Sequence, residues 1–456
     1  MIPRNAALIG LLGSYVLVAS SQIISFGRFQ LPALALVLLA CVAGMFPAVL
    51  AVAPGRDPAP ARLRLVLVVL SAAMIAVAFD HNPLTYTTEP SWPIKYRTAL
   101  GALLALAATY SLPGAGPGWL RRPRALLVLA ILIWTRLAVP LTSPNPGEDV
   151  WVVQQEAAAA VLAGIDPYSV EYTQIFAPEV YEVLGYRSGF HYPPLTLLAV
   201  VPPYALFHDV RWAYVCFELL VLWFLWSSTS RRTADRSIPE LIVLLWGLNT
   251  SVLFVLEHGW TEPLGAALIA GFVALSERRR NRLAAVCLGA FFSFKQYTIL
   301  LFPLILFLPH YLPVFIAFVL INTLSYVPWL LWNREGLVAN LVEPWRAPPR
   351  ADALSLSAYW MFARRAAMPD WINPLCLLAG MNLALTRIER GVAGLVFGIF
   401  LVLALFFLTA KQSFCNYYYL LSFLMLVCAI FMIHSPSDTA PTAETPESST
   451  TASGCS

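Results

Sequence analysis

The chain has 456 residues, 59% of them hydrophobic and only 12% charged, with mean hydropathy +0.71. A soluble domain carries about 25% charged residues, so the composition excludes an ordinary soluble enzyme. The net charge of +4 is no nucleic-acid signature, because the basic residues sit in short clusters between apolar runs. Apolar runs of about 20 residues, the length that crosses a bilayer as a helix, recur along the chain. The sequence therefore predicts an all-α polytopic membrane protein. The seven cysteines are scattered and form no CxxC, so neither a zinc site nor a disulfide framework is indicated. The first apolar run has no convincing small-residue cleavage site after it and reads as a retained helix.

In chain order, apolar runs predict helices at 6–26, 31–52 and 65–79, a fourth ending near 112, and a fifth at 125–141. Arg4, the cluster Arg56, Arg62 and Arg64, and the cluster Arg121, Arg122 and Arg124 all fall on one side of these runs. Lys and Arg favour the cytoplasmic side, which places the N-terminus inside and the 142–194 loop outside. The run at 195–207 is short and holds Pro202 and Pro203. If it spanned, Arg231, Arg232 and Arg236 would fall outside, so it reads as an outer-face or re-entrant segment. Non-helical backbone at such depth needs protein or a water-filled cavity around it. Further helices are expected at 212–228, 241–256 and 263–275. Two short apolar arms, 283–294 and 298–308, meet at Lys295-Gln296-Tyr297. A helix at 313–331, a polar loop at 332–370 and helices near 371–386, 391–409 and 413–433 complete the pattern. The total is about 14 transmembrane helices, with outer-face juxtamembrane helices and both termini cytoplasmic.

The chain divides accordingly into N-terminal transmembrane helices (1–141), an outer loop with juxtamembrane helices and the candidate catalytic acid (142–210), and central transmembrane helices (211–331). A second outer loop (332–370), C-terminal transmembrane helices (371–434) and a tail (435–456) follow. The tail is rich in Ser, Thr, Pro and Glu and reads as disordered and cytoplasmic.

Residues 145–194 hold two adjacent acids at the mouth of a short helix. Asn145 as N-cap, Pro146 at the first helical position and Glu148 three residues after the cap resemble a capping box. One capping carboxylate is enough, so Asp149 stands out as a general base toward a hydroxyl acceptor, with Glu148 the alternate. Asp149 and Glu156 share a helix face. Lys295 lies between two apolar arms, where a charge is costly and functional by default; it either snorkels along its own stem or contacts a phosphate. His258 and Glu262 are four apart, but Gly259 and Pro263 argue for a break between them. Two acids and a histidine here could hold a divalent metal, although hydrogen bonding between helices explains them equally, and no metal ligand set is assigned. Arg346 and Arg350 are either phosphate partners or part of a solvated loop. Glu156, His191, Tyr192, His258 and Glu262 are the candidates to line a substrate cavity.

The stretches DVWVVQQEAAAAVLAGIDPYS, HYPPLTLLAVVPPY, EHGWTEPL and FSFKQYTILLFPLIL together resemble membrane glycosyltransferases of the GT-C superfamily, in particular proteins akin to glycosyltransferase family 87. The resemblance covers roughly 145–359. It implies that Asp149 takes the place of the loop catalytic aspartate, and Lys295 a lipid-phosphate-binding position. In that pattern the acidic loop follows the first helix. Here four further helices precede it, and the 80–97 loop, with Asp80, His81 and Glu89, is the rival location.

The expected function is transfer of a sugar from a polyprenyl-phosphate donor to a lipid or cell-envelope glycan acceptor on the outer face of a bacterial cytoplasmic membrane. The alternatives are a transporter or flippase for a lipid-linked or small polar substrate, and a non-catalytic membrane partner of an envelope complex. No internal repeat of the kind that builds transporters is visible.

Overall fold

The computed structural model describes residues 2–49, 52–53, 59–112, 118–185 and 188–433. Among these the chain is helical apart from loops and one two-residue parallel pairing, Ile2–Pro3 with Val52–Ala53. The helices are α1 (Arg4–Ser25), α2 (Leu31–Val49), α3 (Pro60–Ala78), α4 (Trp92–Ala108) and α5 (Gly118–Thr142). Next come α6 (Asp149–Leu162), α7 (Pro178–Leu184), α8 (Pro194–Phe207), α9 (Arg211–Arg232), α10 (Ser237–Gly247) and α11 (Ser251–Glu257). Then follow α12 (Glu262–Glu277), α13 (Asn281–Phe291), a 3₁₀ segment Gln296–Phe307 and α14 (Leu312–Arg346). Last are α15 (Leu356–Arg364), α16 (Ile372–Arg387), α17 (Val392–Thr409) and α18 (Cys415–Phe431). The tail and Arg56 lie outside the described residues.

Six of these helices are long and apolar enough to cross a membrane, and α10 with α11 form a seventh candidate bent by 52°. Five shorter apolar helices accompany them. A helix that is apolar all round belongs inside a bundle. The membrane-length window of α17, which has no charged residue, is 83% buried, whereas that of α14 is 22% buried. The first is therefore central and the second faces outward. Helix α18 is buried almost throughout and packs against α1, α12 and α17. The N-terminal helices thus dock on the centre of the bundle.

Charges inside the apolar layers are paired, as their desolvation requires. Arg136 of α5 and Glu218 of α9 are fully buried 3.7 Å apart. The Trp246 indole donates to Glu218 at 3.2 Å, and the Tyr419 hydroxyl donates to it too. Arg124 of α5 meets Glu240 of α10 at 3.2 Å, and the Tyr110 hydroxyl donates to Glu240 at 2.5 Å.

The run at 195–207 is a continuous helix, Pro202 and Pro203 included. The structure corrects two sequence expectations. The expected helix 241–256 is broken between α10 and α11. The polar segment after 331 does not begin as a loop: helix continues to Arg346, interrupted only at Asn333 (φ −152°, ψ 83°). The Asn333 side chain accepts from the Gly336 N–H (2.8 Å) and donates to Asp166 (2.7 Å). It caps the second half of α14 and ties it to the Gly164–Tyr168 turn.

Candidate active site

Where α6 starts decides what the two acids do. The Thr88 N–H donates to the Thr142 carbonyl (2.8 Å), and the Tyr86 hydroxyl to the Gly147 carbonyl (3.0 Å). The 80–91 loop thereby holds the chain non-helical past α5. The loop itself is anchored by Glu257, which accepts from the Thr85 and Tyr86 N–H groups (2.6 and 2.9 Å) and from the Ser143 hydroxyl (2.6 Å). Helix α6 opens only at Asp149, with Glu148 extended at the N-cap position and no side-chain cap. The expected capping box, with Asn145 as N-cap and Pro146 at the first helical position, does not form. Both carboxylates instead line a cavity of about 390 Å³, within the usual size of small-ligand pockets.

Asp149, Glu148, His191, Tyr192, His258, Lys295 and Arg350 all border this cavity. Glu156, Glu262 and Arg346 do not. Glu156 accepts from the Thr173 N–H (3.0 Å) and hydroxyl (2.5 Å), and Arg346 is exposed at the end of α14. Glu262 lies fully buried behind the wall, where its carboxylate pairs with the Lys295 ammonium. The Asn416 amide donates to the same Glu262 oxygen (2.9 Å). The rings of Tyr417, Tyr297 and Tyr192 stand 5.0, 5.6 and 5.8 Å from Lys295 Nζ. Lys295 therefore neither snorkels nor stands as an isolated cation; it is half of a buried ion pair in an aromatic cage.

His258 and Glu262 do not share a helix face, because α11 ends at Glu257 and α12 begins at Glu262. Between them Gly259, at φ +68°, lies against Trp151, and its carbonyl accepts from the Gln154 amide (2.6 Å). That contact fixes α6 against the turn. His258 Nδ1 meets the Phe254 carbonyl (2.8 Å) and Nε2 faces Glu148 at 3.7 Å. Among the described residues no three His, Cys, Asp or Glu side chains converge as a metal site requires, and the Glu262 carboxylate is already engaged by Lys295 and Asn416. His191 Nδ1 lies 3.1 Å from the Asn340 carbonyl. Of the rival 80–97 loop, only Tyr86 reaches the cavity; Glu89 turns to Ser91 and Lys95.

Burial pushes the Glu148 carboxyl up to about 8, the neighbouring Asp149 charge adds to this, and Arg28 and Arg350 oppose it. Burial also raises Asp149, against the opposing effects of the Val150 N–H, Arg350 and His191. Burial lowers the His258 imidazole to about 3. The pair thus combines a carboxyl held protonated near neutrality with a neighbour of heightened basicity, suited to proton transfer.

The sequence reading missed Arg28 and Tyr86. A signal for Arg28 was available: it is a lone arginine between the first two apolar runs, on the side where the positive-inside pattern does not call for one.

A long-helix bundle with a polar cavity set among its helix ends defines an integral membrane protein built around a small-ligand site. A family model described as glycosyltransferase family 87 matches residues 190–436, more than half of the chain. The protein belongs to that family and is a membrane glycosyltransferase. No curated protein and no solved structure matches it. The matched segment holds His191, Lys295 and Arg350 and begins after Glu148 and Asp149.

Two substitutions test the electrostatics. The Glu148 carboxyl titrates at its ordinary 4.5 when unfolded and at about 8 when folded. Raising the pH through that window makes the native state hold a proton that the unfolded chain releases, so stability falls with pH. Glu148→Gln removes this loss. It is expected to melt higher than wild type at pH 8 and equally near pH 4.5; equal melting at both would mean that Glu148 is ionised and compensated. Lys295→Ala strands the buried Glu262 carboxylate and is expected to destabilise by about 3–5 kcal/mol, most of which Lys295→Met with Glu262→Leu restores. Wild-type thermal stability of Lys295→Ala in detergent would contradict the ion-pair role.

Proposed function

We propose that this glycosyltransferase moves a sugar from a polyprenyl-phosphate-linked donor to a hydroxyl of a lipid or cell-envelope glycan acceptor. The observation that carries the reading is that the cavity of this family 87 chain holds a half-buried carboxylate pair, Glu148 and Asp149, together with a guanidinium group, Arg350. Asp149 takes the proton of the acceptor hydroxyl. The acceptor oxygen bonds to the anomeric carbon as the bond from that carbon to the phosphate oxygen breaks. The electron pair leaves on the lipid phosphate, whose charge Arg350 balances as a bidentate partner. Lys295 shapes the wall through Glu262 rather than gripping the phosphate. One displacement with one base inverts the anomeric centre.

The six long helices, the bent α10–α11 pair and the five shorter apolar helices supply most of a GT-C-like bundle of about 14 spans in a bacterial cytoplasmic membrane. Both termini are cytoplasmic and the cavity lies on the outer side, a placement supported by the arginine clusters. An impermeant thiol reagent applied to intact cells is expected to label Glu179→Cys on the exposed face of α7, in a background lacking the exposed Cys216. Labelling only after permeabilisation overturns this orientation.

Loss of a general base costs about 10²–10⁴-fold in rate. Asp149→Asn is therefore expected to lower kcat by that amount with donor affinity nearly intact, measured as sugar transfer from a short-chain polyprenyl-phosphate donor. Transfer at the wild-type rate removes Asp149 as the base.

A further inference from the structure

Arg28 lies on the short connection between α1 and α2, outside the residues that the family model matches, yet it lines the cavity beside Glu148 and Arg350. Its backbone is tightly held. The Arg28 N–H donates to the Ser25 carbonyl (3.0 Å) and the Phe29 N–H to the Asp352 carbonyl (2.7 Å), and Arg28 forms an antiparallel bridge with Ala353. Gly27, at φ +72°, is pressed against the start of α18, so that a Cβ there would stand 2.1 Å from the Cys415 nitrogen. A side chain presented by a backbone this constrained is placed rather than incidental.

The neighbouring wall is equally built. Arg350 makes two hydrogen bonds to Asp352 (2.9 and 2.7 Å) and stacks over the Phe414 ring at 4.6 Å. Its N–H donates to the Lys411 carbonyl (3.0 Å). The side-chain nitrogen of Gln412, which also borders the cavity, is buried with no hydrogen-bond acceptor among the described residues. Lys295 borders the cavity paired with Glu262, and Arg350 is paired with Asp352 in the same way; Arg28 and Arg350 are the guanidinium groups that line it. Two guanidinium groups and a donor amide seeking an acceptor suit a phosphate, which offers several oxygens and one to two negative charges.

We propose that Arg28 and Arg350, with the Gln412 amide, form the subsite for the phosphate group of the donor, so that the α1–α2 pair belongs to the transfer machinery and is not merely an anchor. The proposal rests on the reading of a phosphate-linked donor given above. As the bond between the anomeric carbon and the phosphate oxygen breaks, charge accumulates on the phosphate, and Arg28 and Arg350 stabilise it there.

The test uses the full-length protein in detergent. Short-chain polyprenyl monophosphate is titrated against it, with the polyprenyl alcohol of the same length as uncharged control and inorganic phosphate as a third ligand. Arg28→Gln is expected to weaken binding of the lipid phosphate by roughly 10- to 100-fold, the range for a charge-assisted hydrogen bond, while alcohol binding stays unchanged. Arg28→Lys is expected to recover part of the loss, and the donor KM to rise more than kcat falls. Arg350→Gln, judged by the same ratio of phosphate to alcohol affinity, serves as the second variant. Inorganic phosphate bound as tightly as the lipid identifies a free-phosphate site, and lipid phosphate bound far more tightly identifies a headgroup site; loss of either in Arg28→Gln supports the subsite. Sugar transfer by the wild type together with phosphate affinity unmoved by Arg28→Gln overturns the subsite and leaves the function standing. Lipid-phosphate binding that depends on Arg28, with no transfer from the linked donor, overturns the function and leaves the subsite standing.

Discussion

A charge buried among apolar helices must find its counter-charge, and the Lys295–Glu262 pair shows how much of the architecture follows from that. Glu262 is the first residue of α12, Lys295 the corner between α13 and the 3₁₀ segment, and Asn416 lies in the first turn of α18. One carboxylate gathers all three element ends. Each of these ends leaves backbone unfinished, and gathering them leaves a polar hollow where continuous helices would have packed shut. The cavity is a by-product of helices that break at one level because their charged breaks must meet.

The acid side of the cavity has a different origin. A tyrosine hydroxyl on the Gly147 carbonyl and a carboxylate gripping two N–H groups of the 80–91 loop keep α6 from starting early. Two adjacent carboxyls therefore arrive uncapped in a desolvated place, where only one can be charged at low cost. Burial raises both carboxyls and the Asp149 charge raises Glu148 further, so the two do not ionise independently.

The apolar runs marked nearly every helix, because a bilayer-length run of Val, Leu, Ile and Phe has only one way to satisfy its backbone in lipid. The helical stretch after Asn333 was not legible, because the apolar run ends at 331 and the polar residues beyond it read as a loop. Pairing was not: nothing local in α5 says that Arg136 meets Glu218, since that contact exists only when α9 stands beside it. The segment NPGE misled for the converse reason. Its local capping preference is real, but tertiary hydrogen bonds from Tyr86 and Thr88 outcompete it. Lys295 was legible as special and illegible in role, because a lone lysine in an apolar sequence gives no hint of the glutamate thirty-three positions earlier that neutralises it. Arg28 was legible as a lone arginine between two apolar runs, but its place on the cavity wall depends on contacts with the distant Asp352–Ala353 segment.

The Arg136–Glu218 pair also bears on how the chain is made. At roughly 5–20 residues per second, the ribosome delivers Glu218 some seconds after Arg136. Through that interval α5 carries a guanidinium without its counter-ion; an arginine at a helix centre costs about 2.5–3.5 kcal/mol, and Arg136 lies toward the end of α5, where the cost is lower. Its side chain can reach for the interface until α9 emerges to receive it. The order in which this protein enters the membrane is thus written into a contact that, in the finished bundle, looks purely structural.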